Sequence, residues 1–160
     1  MLGQYVQGPV TTDLPGRIFT IPQSRGMGIT LYNDTGSTIA KGQPMMVGWT
    51  STAGQEVQAI APATMSSQRL VVIAMEPVAA ETVGKFQFEG RCEDADVYTT
   101  AAGDRLQLLN GGTYLVVDGT TGSTTHTTAT CAMALEANTA VASASIAIWL
   151  YGKEAVIAGS

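Results

Sequence analysis

The side chains able to do chemistry are few and scattered. The single histidine, His126, lies in Thr124-Thr125-His126-Thr127-Thr128, a hydroxyl-rich tract following Gly122. General acid–base or nucleophilic catalysis needs a carboxylate and an activated nucleophile beside the imidazole. No local motif provides that arrangement, so His126 reads as a solvent-facing loop residue. The acidic run Glu89, Glu93, Asp94 and Asp96 offers carboxylates to a hard cation. A calcium loop also needs oxygen ligands at fixed spacing and a closing Glu, which this run lacks, so it reads as a solvated acidic turn. No pair of acids sits in a recognisable glycosidase pattern. Gly119-Thr120-Thr121-Gly122-Ser123 has glycines but lacks the Gly-Lys-Ser/Thr that opens a helix on phosphate. Gly152-Lys153 is followed by Glu154 with no helix signal after it. Cys92 and Cys131 form no CxxC pattern and have one histidine for company, so buried free thiols are expected rather than a metal site. Asn33-Asp34-Thr35 is formally a glycosylation sequon but reads better as a turn. The residues therefore predict a non-enzymatic chain without a catalytic centre, cofactor or metal.

Composition narrows the partners. The chain has 160 residues, 45% of them apolar, enough for one domain or two small lobes sharing a core. Charged residues make up only 13%, and the net charge is −5. The eight basic residues are scattered singly, whereas nucleic-acid binding wants a basic patch. No apolar run reaches the roughly 18–20 residues that cross a bilayer, and Met1-Leu2-Gly3-Gln4-Tyr5 lacks the features of a secretory signal. Neither nucleic acid nor membrane is an expected partner, and folding is expected in the cytoplasm of the producing cell. Between Arg105 and Lys153 only Asp118 and Glu136 are charged. Such a stretch is either solvated by its hydroxyls or covered in an assembly.

The elements that must position these residues are strands. Short runs rich in Val, Ile, Thr and aromatics recur from about residue 27, punctuated by Gly, Asp and Asn turns. They include 27–32, 45–49, 56–60, 70–75, 84–90, 106–109, 114–117 and 145–151. Leu70 to Met75 is continuously apolar, as expected of a strand buried on both faces. In 84–90, Phe86 and Phe88 share one face and Lys85, Gln87 and Glu89 the other. Asn110-Gly111 marks a hairpin, because both residues accept positive φ cheaply. Along 146–151, Ile146, Ile148 and Leu150 face one way and Ala147, Trp149 and Tyr151 the other. Both faces are apolar, so cover by a partner lobe or another subunit is expected. Before this lies residues 1–26, broken by Pro9, Pro15 and Pro22 and read as an extended arm. Its Tyr5, Val6, Ile18, Phe19 and Ile21 either pack on their own domain or add a strand to a neighbour.

An internal echo organises the rest. Ala40-Lys41-Gly42-Gln43-Pro44 resembles Ala101-Ala102-Gly103-Asp104-Arg105, and Ala74-Met75-Glu76 resembles Ala134-Leu135-Glu136. Each triplet precedes an alternating strand ending in Gly90 or Gly152, at an offset near 60 residues. Two pseudo-repeated β units, about 27–92 and 93–152, are expected to pack within one β domain over 27–160. The predicted fold is all-β, a compact sandwich or barrel with an extended N-terminal arm.

The strings Leu31-Tyr32-Asn33-Asp34-Thr35-Gly36-Ser37-Thr38-Ile39-Ala40-Lys41-Gly42 and Val72-Ile73-Ala74-Met75-Glu76-Pro77-Val78-Ala79-Ala80 resemble small β proteins encoded beside tailed-bacteriophage major capsid proteins. The following 83–90 strand, the Ala102-Gly103-Asp104 turn and Ala134-Leu135-Glu136 continue the likeness. These are capsid decoration, cement or head-stabilising proteins. The resemblance implies a structural virion protein without chemistry, made in the host bacterial cytoplasm and placed on the capsid exterior. It implies a homotrimer bridging major capsid protein subunits. Arm residues Tyr5, Val6, Arg17, Ile18, Phe19 and Ile21 become candidates for capsid contact, and Trp149 and Tyr151 for a subunit interface. The alternatives are a head fibre base, a tail component, or a carbohydrate-binding sandwich using Trp49, Trp149 and Tyr151 as a stacking platform.

Overall fold

The computed structural model describes residues 14–63, 69–118 and 130–155. Among them every extended element is a strand, and the one helical turn is the 3-10 turn Pro22–Ser24. The strands are β1 (Ile18–Ile21), β2 (Gly26–Asn33), β3 (Pro44–Trp49), β4 (Val57–Ile60), β5 (Arg69–Ala74), β6 (Val83–Val97), β7 (Arg105–Gln107), β8 (Val116–Val117), β9 (Thr130–Ala134), β10 (Ala144–Tyr151) and β11 (Glu154–Ala155). The fold is all-β, and of sandwich and barrel it is the barrel that forms. β2 pairs with β4 in parallel; β4–β3, β3–β5 and β5–β6 are antiparallel, and β6 returns to β2 to close the ring.

The second half repeats the order. β6 pairs with β10, β10 with β9, β9 with β7 and β7 with β8, and a parallel bridge from Leu115 to Val97 leads back to β6. The echoed residues make the same bonds in both units. Gly42 N–H donates to the Ala74 carbonyl and Gly103 N–H to that of Ala134, each at 2.8 Å. The Glu76 carboxylate accepts the Lys85 N–H at 3.2 Å, and Glu136 accepts that of Ala147 at 3.1 Å. Gln43 and Asp104 each close their own turn on the N–H of Ala40 or Ala101. The echo is thus a record of turns whose backbone groups need a side-chain partner. The sequence boundary near residue 92 falls inside β6, which serves both units without a linker.

Two clusters form the core. Ile29, Leu31, Met45, Val47, Val72 and Phe86 fill the first barrel. Leu106, Leu115, Ala132, Ile146, Ile148 and Leu150 fill the second, joined there by Met46, Val71 and Ile73. Alternate residues of β5 therefore serve different clusters, which explains its unbroken apolar run. β6 departs from the expected polar face. Gln87 is buried, and its amide nitrogen lies 3.2, 3.0 and 2.9 Å from the carbonyls of Arg25, Glu89 and Arg91. Cys92 and Cys131 are buried and unpaired.

Of the two arrangements expected for the arm, packing on its own domain is the one seen from Leu14 onward: β1 pairs antiparallel with β2, placing Phe19 opposite Gly28. The Phe19 ring occupies the space a Gly28 Cβ would take, so the missing side chain creates the seat for the aromatic. Thr30 completes the anchorage, its hydroxyl donating to the Leu14 carbonyl at 2.8 Å. Residues 1–13, including Tyr5 and Val6, lie outside the described residues.

Candidate functional site

The outer face of the second barrel gathers the most binding chemistry. β10 sends Ile146, Ile148 and Leu150 inward, which forces Trp149 and Tyr151 outward. Trp149 is 45% exposed and Tyr151 37%, so of the two covers expected for this face the other lobe does not supply one. Strand order sets their neighbours. Trp149 stands opposite Arg91 on one side and Met133 on the other, and Met133 stands opposite Arg105. Cross-strand partners share a face, so an Arg–Trp–Met–Arg row runs across the sheet. One step along, Lys153 Nζ lies 5.4 Å from the Tyr151 ring centroid. Beside it a concavity of about 450 Å³ is lined by Arg105, Asp118, Thr130, Tyr151 and Lys153. Thr130 donates its hydroxyl hydrogen to Asp118 at 2.9 Å, fixing that carboxylate.

The charges of this face are not all neutralised. Arg91 is held by Glu93 at 2.8 Å, but neither Arg105 nor Lys153 makes an ion pair among the described residues. By contrast, a cleft of about 140 Å³ at the waist of β6 is internally compensated. There Lys41 meets Asp94 at 2.8 Å, and Arg25 reaches Glu93 at 3.5 Å. The hydrogen bond from Arg91 holds the Glu93 carboxyl below its ordinary pKa, and the bond to Asp94 raises that of Lys41. Of the acidic run, Glu93 and Asp94 are therefore engaged in ion pairs. No group of three or more His, Cys, Asp or Glu side chains able to hold a metal occurs among the described residues.

A second exposed aromatic lies on the first barrel. Trp49 is 67% exposed, with the Arg69 guanidinium 3.8 Å from its ring centroid. Of the arm residues, Arg17 and Ile18 are exposed, Phe19 is half-buried and Ile21 is buried. Ile21 is thus spent on its own core, because its alternating position on β1 points inward. Asn33 cannot accept a glycan as placed: its side chain is buried, and its amide donates to the carbonyls of Ser37 at 2.7 Å and Val78 at 2.9 Å. His126 lies outside the described residues.

The aromatic positions follow from strand alternation, but the juxtaposition of Arg105, Tyr151 and Lys153 does not. It requires β7, β9 and β10 to be neighbours, which no local pattern encodes. No protein-family model matches this chain, and no curated protein matches it.

Proposed function

We propose that the chain is a capsid decoration protein of a tailed bacteriophage, binding the exterior of the expanded shell as a homotrimer and bridging major capsid protein subunits. The observation that carries this reading is the edge of the first barrel. β1 ends the sheet with one side unpaired among the described residues; Ile18 is 53% exposed, and Arg17 just before it is exposed too. An open edge with an apolar side chain suits strand addition by another protein. The exposed Trp49–Arg69 stack adds residue types that dominate protein-interface energetics. Of the strings carrying the likeness to decoration proteins, 31–42, 72–80 and 83–90 lie in this same barrel, and 102–104 and 134–136 lie in the second unit.

The physical basis of such a role is mass action. A protein that binds only the expanded lattice stabilises it by RT ln(1 + [L]/Kd) at each site. A trimer seated on a three-fold position engages three surfaces together, so modest contacts gain avidity. Light scattering of the purified chain, followed by co-sedimentation with expanded and unexpanded shells of its phage, tests the reading. A trimer that pellets with expanded shells alone, and that Ile18→Asp or Trp49→Ala releases, supports it. A monomer that ignores both shells sinks it.

A further inference from the structure

The face around Tyr151 lies on the second barrel, and its chemistry stands independently of the capsid reading. Three features coincide there. The Tyr151 ring forms one wall of an open concavity of about 450 Å³, a size that suits a small ligand. Trp149 stands exposed on the same face of β10, two residues away, extending the aromatic surface. Arg105 and Lys153 line the concavity with Tyr151 and make no ion pair among the described residues, while Asp118 lines it too and Glu89 stands opposite Tyr151 on β6. Asp118, tied to Thr130, adds a fixed acceptor.

From these we infer that the concavity between β7, β9 and β10 binds a carboxylate-bearing sugar. A flat aromatic ring packs against the apolar C–H face of a pyranose while leaving its hydroxyls to polar neighbours. Asp118 and Thr130 are placed to meet hydroxyls. Arg105 presents a fork of N–H donors that matches a carboxylate, and Lys153 adds a second positive charge. Asp118 offsets one of the two positive charges, and a neutral sugar would leave the other unanswered. A nucleic-acid strand would need a longer row of cations to follow its phosphates than these two residues supply.

The experiment is titration of the full chain with galacturonic-acid trisaccharide, and separately with galactotriose, following tryptophan fluorescence and heat. Saturable binding of the acidic trisaccharide, at least about tenfold tighter than the neutral one, is expected. Tyr151→Ala should abolish it, and Arg105→Gln with Lys153→Gln should remove the preference for the acid. All these side chains reach the surface, so the variants should keep the wild-type mass and unfolding midpoint. Equal affinity for both sugars, no saturable binding, or tighter binding of a single-stranded oligonucleotide of equal charge would each overturn the inference. So would a fall in oligomeric mass for Tyr151→Ala, which would assign this face to subunit contact instead.

Discussion

Two asparagines show how much of this fold hangs on single polar side chains. Asn33, at the end of β2, reaches across to the Val78 carbonyl, while its Oδ1 accepts the Thr35 N–H at 3.0 Å. In the second unit the roles are exchanged: Asn138 stands in the loop position that Val78 holds in the first. Its amide donates back to the Val97 carbonyl at 3.0 Å and to that of Ala142 at 2.8 Å. The same junction is tethered from opposite sides. Asn33→Ala and Asn138→Ala should each cost about 2–3 kcal/mol, because buried carbonyls lose their donor. Urea unfolding checks this, and a loss below about 0.5 kcal/mol would rule out the tethering role. The thiols give a second residue-scale expectation. Burial pushes Cys92 up to about 11 and Cys131 up to about 12. The folded state thus holds these protons more tightly than the unfolded chain, whose thiols ionise near about 8.5. Their contribution to stability is fully present below that pH and is lost as pH rises through about 11 for Cys92. Compared with wild type, Cys92→Ala/Cys131→Ala should show a shallower fall in stability above about pH 9. Parallel alkaline limbs in the two proteins would contradict this.

At the scale of elements, β6 is the strand on which both barrels depend. It crosses from one ring to the other at Gly90, which has φ of +89° and faces Gly26 across the pair. A Cβ on Gly90 would overlap the Arg25 carbonyl oxygen, and one on Gly26 would overlap that of Glu89. Two backbones approach here with no room for side chains, so β6 bends between the rings without breaking. Gly90→Ala should therefore destabilise by more than about 3 kcal/mol, since both strain and overlap must be relieved. Gly103→Ala offers the contrast: Gly103 has φ of +92° but open space around its Cα, so only backbone strain remains. Similar unfolding midpoints for the two variants would refute the crossing argument. The glycine ending the 84–90 strand was legible in the sequence as a terminus. Its actual place inside a 15-residue strand was not, because a continuation past glycine depends on what lies across the sheet.

For the whole molecule, the sequence revealed the repeat and the all-β class because turns and alternation are local properties. The Ala-x-Gly-Gln/Asp and Ala-x-Glu echoes survive in both units since each closes its own hydrogen bonds. Which strands become neighbours is a long-range matter, so the ring order, the docking of β1 on β2 and the Arg105–Tyr151–Lys153 concavity were not legible. Sharing has a further consequence. Met46, Val71 and Ile73 leave the first barrel to join the second barrel's cluster, and β11 pairs with β5 although it follows β10. Neither unit can therefore lose its structure without exposing apolar surface of the other, and one cooperative transition is expected. The chain carries its own reporters, with Trp49 on the first barrel and Trp149 on the second. Trp149→Phe leaves Trp49 to follow the first barrel, and Trp49→Phe leaves Trp149 to follow the second. Corrected for any shift in circular-dichroism midpoint, the two fluorescence curves in guanidinium should coincide in midpoint and slope. If Trp49 instead reported its transition separately from Trp149, the units would be independent domains, and the residues passed between their cores would contribute little to holding them together.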